Sequence, residues 1–123
     1  IVHGDLPYRT AHAMRKFLAA APPDGMQAAA CKRGTGTNIL LSPLPLRIPL
    51  VFGRHSLRRF RQLADGAGQR FEVVRDPRLA ADVDDPDDFE RLRAPARGGP
   101  RPGRATRAFV GRRAHIKRLP QGA

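Results

Sequence analysis

The chain has no tryptophan, one tyrosine and one cysteine, and beyond Glu90 it has no acidic residue. The lone cysteine, Cys31, excludes an internal disulfide and any multi-cysteine metal site. No apolar run approaches the ~18 residues that cross a bilayer, and no charged-then-apolar leader opens the chain, so a soluble cytoplasmic protein is expected. The missing acids also explain the charge. All 11 Asp and Glu precede Arg91, while residues 91–123 hold 10 of the 23 Lys and Arg. Residues 1–90 therefore carry 13 basic against 11 acidic side chains, a net +2 out of the total +12. The basicity belongs to a Pro-, Gly- and Arg-rich stretch over residues 93–123, expected to be a flexible, solvated tail rather than a docking face. Arg outnumbers Lys by 20 to 3, a bias that coding composition can produce without selection for phosphate binding.

What is present fits one modest domain, large enough to bury about two-thirds of the surface its unfolded form exposes. The opening Ile1-Val2-His3-Gly4-Asp5-Leu6-Pro7 reads as a strand end followed at once by a turn, as in a fragment of a longer chain. Thr10 can cap a helix to about Ala20 with Ala13, Met14, Phe17 and Leu18 on one face. Met26 to Ala30 and Asn38 to Leu41 are short apolar runs. Between them, Arg33-Gly34-Thr35-Gly36-Thr37 alternates glycine with threonine, so backbone N–H groups and hydroxyls can converge on an anion without a Cβ in the way. The plain alternative is a turn that only starts a strand. Prolines at 43, 45 and 49 impose an extended loop before Phe52-Gly53-Arg54-His55-Ser56. There Ser56 is the expected N-cap of a helix over Leu57 to Ala64, ended by Asp65-Gly66, whose free N–H groups would face an anion. Arg70 to Val74 alternates like a strand.

Residues 82–90 hold six of the 11 acids. Asp85 as N-cap, Pro86 at the first helical position and Asp87 and Asp88 in the first turn are a helix start, each such charge contributing ~0.3–1 kcal/mol. That leaves Asp82 and Asp84, which share one edge of an extended segment and repel unless a cation lies between them. Mg²⁺ suits such a place, because it binds a few carboxylates and accepts substrate phosphates. Asp5 is a third carboxylate, expected at the carboxyl end of a strand where open α/β sheets place ligand groups. Three distant carboxylates and two neutral anion turns suit metal-assisted phosphoryl or nucleotidyl transfer. His3, His12, His55 and His115 lack a metal-ligand spacing and read as surface or packing residues; His55, inside the second turn, could meet a phosphate.

These motifs, in this order, resemble the 2-phospho-L-lactate guanylyltransferases and the related phosphoenolpyruvate guanylyltransferases of deazaflavin coenzyme (factor 420) biosynthesis. The resemblance covers about residues 1–92 and rests on Asp5-Leu6-Pro7, Arg33-Gly34-Thr35-Gly36-Thr37-Asn38, Phe52-Gly53-x-x-Ser56 and Asp82-Val83-Asp84-x-Pro86-x-Asp88-Phe89. It implies an α/β, nucleotide-diphospho-sugar-transferase-like (Rossmann-like) three-layer sandwich, present as its carboxyl-terminal part, with the GTP-holding residues outside the chain. It also implies magnesium at Asp5, Asp82 and Asp84, and the phosphorylated three-carbon acid at Thr37, Gly53 and Ser56. Asp85, Phe60 and Ala30-Cys31 depart from the family's usual Thr, His and Pro-Asp. Two other readings compete: a non-catalytic remnant whose basic tail contacts nucleic acid or an acidic partner, and a nucleotidyltransferase with another acceptor, such as a molybdopterin or sugar phosphate.

Overall fold

The computed structural model describes residues 1–113. Its elements are α1 (Ala11–Ala19), β1 (Met26–Ala30), β2 (Thr37–Leu41), α2 (Ser56–Gly66), β3 (Phe71–Val74), α3 (Pro77–Ala80), α4 (Pro86–Arg93) and α5 (Arg104–Arg113). The result is a small mixed α/β domain around a three-stranded sheet of order β2-β1-β3. β1 pairs antiparallel with β2 and parallel with β3. Residues 1–3 add to the free edge of β2 as a single Val2–Ile39 bridge rather than the full strand expected, with the His3 and Leu40 N–H groups donating to Asn38 and Ile1 carbonyls at 3.0 and 2.9 Å.

The central strand Met-Gln-Ala-Ala-Ala is a better helix former than strand former, and tertiary context overrides that preference. All five of its residues are buried, because helices cover both faces of the sheet. On one face Met26, Ala28 and Ala30 meet Leu57, Phe60 and Ala64 of α2. On the other, Ala29 and Ile39 meet Ala13 and Phe17 of α1 and Leu79 of α3. Small side chains on β1 let both helical layers approach. A third cluster, Tyr8 with Leu92 and Val110, ties α4 and α5 to the loop after residue 3.

α1 follows the expected pattern, with Thr10 Oγ1 accepting from the Ala13 N–H, although Leu18 at its far edge is 52% exposed. α4 begins as expected, with Asp85 capping Asp88 N–H and Pro86 at the first helical position. Three expectations are corrected. Ser56 is the first residue of α2 rather than its cap, a place taken by His55 in the left-handed region at φ +54 with no side-chain cap bond. α2 runs through Asp65-Gly66 and closes at Ala67 and Gly68, the latter at φ +66. Arg104–Arg113, expected within a solvated tail, is helical, and Val110 is buried against Tyr8 and Leu92. The unforeseen α3 is capped by Asp76, which accepts from Arg78 N–H at 2.8 Å. Residues 114–123 of the expected tail, with His115, lie outside the described residues. Among those described, no helix is long and apolar enough to cross a membrane.

Candidate functional site

Asp5 sits in the turn after residues 1–3, and Asp82 and Asp84 lie on the short link between α3 and α4. The Val83 N–H donates to the Asp5 carbonyl at 3.2 Å, which fastens this link to the Asp5 turn. One carboxylate oxygen from each of Asp5, Asp82 and Asp84 then falls within 4.8 Å of the others. Asp5 and Asp84 are exposed, whereas Asp82 is half-buried and its Oδ1 is shielded from solvent without a hydrogen-bond partner. Desolvation first, and the charge of Asp82 second, raise the Asp84 carboxyl above its ordinary pKa. Crowded oxygens with an unbonded, shielded lone pair fit a small hard cation in kind and number.

Two residues not expected among the site residues organise this cluster. Lys32 hydrogen-bonds to Asp88 and places its Nζ 3.7 Å from Asp82 Oδ1. Asp88, whose side chain is only 4% exposed, also receives the Asp84 N–H at 3.0 Å and Arg91 at 2.7 Å. The hydrogen bond from Lys32, then that from the Asp84 backbone, pull the Asp88 carboxyl down to about 2. Burial works against the charge on Lys32, but the Asp88 hydrogen bond and the charges of Asp88, Asp82 and Asp84 outweigh it and raise its pKa. In sequence, Asp88 is fully explained as a helix-start acid, and its second task shows only when Lys32 arrives from 56 residues away.

The glycine-threonine loop does not present its amides as expected. It closes the β1–β2 hairpin on itself: Gly34 N–H donates to the Cys31 carbonyl at 2.8 Å, and Gly36 N–H to Cys31 Sγ at 3.1 Å. Gly36 has little choice, since a Cβ there would lie 3.0 Å from that sulfur. The first amides of α2 are taken too, Ser56 N–H by Gly53 and Leu57 N–H by Thr35, both at 3.1 Å. Thr37 and Ser56, though 19 residues apart, meet as a buried pair in which the Ser56 hydroxyl donates to Thr37 Oγ1 at 3.0 Å. Gly53, at φ +106, forms the exposed turn in front of them with open space around its Cα. Asn38, also buried, sends its Nδ2 to the Leu79 and Ala80 carbonyls at 3.0 Å each and so pins α3 to β2. His3 packs its ring 4.9 Å from that of Phe52, and His12 and His55 are exposed.

A sheet with helices on both faces, a carboxylate trio and a buried hydroxyl pair between β2 and α2 make this a small mixed α/β domain with a candidate cation site. Sequence comparison gives the relatives. No family model matches the chain. It is 33% identical over 96 residues to the phosphoenolpyruvate guanylyltransferase of Thermobaculum terrenum, covering 76% of this chain and 41% of that protein. It is 41% identical over 71 residues to that of Conexibacter woesei, covering 55% of this chain and 32% of the relative. A 2-phospho-L-lactate guanylyltransferase from Halorubrum lacusprofundi is 35% identical over 107 residues, 87% of this chain and 48% of its own length. The chain is thus similar to these guanylyltransferases, as its motifs suggested, and spans less than half the length of each.

Proposed function

We propose that this chain is the carboxyl-terminal part of a guanylyltransferase that joins GMP from GTP to phosphoenolpyruvate or 2-phospho-L-lactate, in the route to the deazaflavin coenzyme. The observation that carries the reading is the convergence of one carboxylate oxygen each from Asp5, Asp82 and Asp84 to within 4.8 Å, where a shielded Asp82 oxygen accepts no hydrogen bond and has Lys32 Nζ 3.7 Å away. In this reading the domain is the nucleotide-diphospho-sugar-transferase-like sandwich in part, and the GTP-holding residues lie in the rest of the protein. The enzyme is cytoplasmic.

Asp5, Asp82 and Asp84 would hold magnesium, which when bound supplies neutralising charge for phosphate oxygens in transfer chemistry. Lys32 and Asp88 keep the Asp82–Asp84 link in place, through the Asp88 bond to the Asp84 amide. The acceptor meets the Gly53 turn, where the glycine lets a phosphate come close, and Thr37 and Ser56 behind it fix the turn against the hairpin. The acceptor phosphate oxygen attacks the α-phosphorus of GTP, the bond to the β-phosphate oxygen breaks, and pyrophosphate leaves. That phosphate is already ionised at neutral pH, so no protein base is needed.

Isothermal titration of phosphoenolpyruvate with Mg²⁺ into the intact protein tests this, alongside Asp84→Ala and Ser56→Ala. Binding is expected to weaken by at least about tenfold in each, a loss of about 1.4 kcal/mol. Unchanged binding in both variants would sink the assignment. A parallel titration with 2-phospho-L-lactate identifies the acceptor.

A further inference from the structure

A second cavity, of about 590 Å³, lies beyond the carboxyl ends of the parallel strands β1 and β3. Its walls come from two loops. The turn after β1 brings Lys32, Arg33 and Gly34, and the link after β3 brings Arg75, Asp76 and Pro77. Crevices outside the carboxyl ends of parallel strands are where α/β sheets take ligands. None of Thr37, Gly53, Ser56, Asp5, Asp82 or Asp84 lines this cavity, which adjoins the aspartate cluster only through Lys32.

The charges lining the cavity are not balanced. Lys32 is committed to Asp88 and Asp82. Asp76 is committed to capping α3 through the Arg78 N–H. Arg33 and Arg75 are both exposed, and among the described residues neither has an ion pair. The Arg75 guanidinium lies over the hairpin loop, its Nη1 3.1 Å from where a Cβ on Gly34 would sit. Gly34, at φ +79, therefore serves the cavity twice: it makes the turn and leaves room for Arg75. Ala30, Ala80, Ala81 and Pro100 give the same cavity an apolar wall.

We propose that this cavity is a binding site for an organic phosphate monoester, held at its phosphate by Arg33 and Arg75 and at its organic part by the alanine and proline wall. Guanidinium forks match the oxygens of a phosphate dianion two at a time. Two unpaired arginines supply the charge that such a dianion needs. The volume exceeds what phosphate alone would fill, and the apolar wall favours an ester over the inorganic ion. The site does not depend on guanylyl transfer or on the aspartate trio.

Phenyl phosphate and inorganic phosphate serve as probes, titrated by calorimetry into the intact protein in EDTA so that no divalent ion contributes. Phenyl phosphate is expected to bind more tightly than phosphate, and the Arg33→Ala/Arg75→Ala protein to lose at least about tenfold in affinity. Asp84→Asn, which touches the other site, is expected to bind it as the unaltered protein does. Both arginines are exposed, so circular dichroism of the double variant is expected to be unchanged. No binding to the unaltered protein, or equal binding by the double variant, overturns the proposal. A loss on Asp84→Asn that matches the double variant's overturns it as well, by relocating the probe to the aspartates.

Discussion

The hairpin loop Cys31–Thr37, between two strands, and the acidic link Asp82–Asp84, between two helices, are both polar and both short, yet they use their polar groups in opposite ways. In the loop, the glycine amides, the Cys31 sulfur and the Thr37 and Ser56 hydroxyls are bonded to one another. In the link, one carboxylate oxygen each of Asp82 and Asp84 lies within 4.8 Å of the other and of Asp5, and the shielded Asp82 oxygen accepts no hydrogen bond, with Lys32 Nζ 3.7 Å away. Polar residues that satisfy each other contribute stability, whereas like charges left together cost stability until something else arrives. A glycine-rich sequence alone does not say which case applies, because the same residues can point their amides outward or spend them on the turn.

Changes in the loop should therefore destabilise the protein, and the largest effect is expected where backbone geometry is at stake. Gly34→Val places a β-branched residue at φ +79 and its Cβ 3.1 Å from Arg75 Nη1. Strain of this kind costs about 1–3 kcal/mol. Ser56→Ala leaves the buried Thr37 hydroxyl without its donor, at about 1 kcal/mol, and a double-mutant cycle with Thr37→Val should return most of that loss as coupling. Urea unfolding of the four proteins measures both. Additive losses at 37 and 56 would break the view that this pair is one unit.

Asp88 stands between the two regions, and acid is the way to probe it. Its folded carboxyl is pulled down to about 2, from an ordinary value near 3.9 in the unfolded chain. A depressed acid binds fewer protons folded than unfolded, so its contribution is full above about pH 4 and is lost as pH falls toward 2. The melting temperature should drop over that window. Asp88→Asn should lower it at neutral pH and flatten the drop, since an amide does not titrate. An equally steep acid drop in Asp88→Asn would assign the effect to other carboxylates.

Much of this was legible beforehand, and the rest failed for identifiable reasons. The Thr10 and Asp85 caps depend on neighbours three residues away and were read correctly. The grouping of Asp5 with Asp82 and Asp84 rests on carboxylate chemistry and on family resemblance rather than on spacing, since nothing local links residue 5 to residue 82. His55 at φ +54 is not legible in the sequence because few non-glycine residues adopt the left-handed region, and Ser56 beside it is the stronger cap by residue type. The fate of the loop amides is not legible in the sequence because their acceptors, the Cys31 carbonyl and sulfur, reach them only once the hairpin has closed. α5 is hidden by composition: arginine, glycine and proline around it suggest a solvated stretch, whereas Val110 packs against Tyr8 and Leu92 and the Gly103 N–H donates to the Pro7 carbonyl at 3.1 Å.

The smallest predicted effect has the opposite sign and makes the sharpest contrast with the loop. If the three carboxylates repel one another, replacing Asp84 by Asn should stabilise the protein when divalent ions are chelated. Asp84 is exposed, so the gain is only a few tenths of a kcal/mol, in line with surface charge pairs. Added Mg²⁺ should raise the melting temperature of the unaltered protein, because a ligand that binds only the folded state stabilises it by mass action. It should do so much less in Asp84→Asn, so that the order of the two melting temperatures inverts between chelator and millimolar metal. Calorimetric melts in both buffers decide it. A variant less stable than the parent in chelator would mean that Asp84 is engaged as the loop residues are, and that the acidic link is a structural turn rather than a place kept open for a cation.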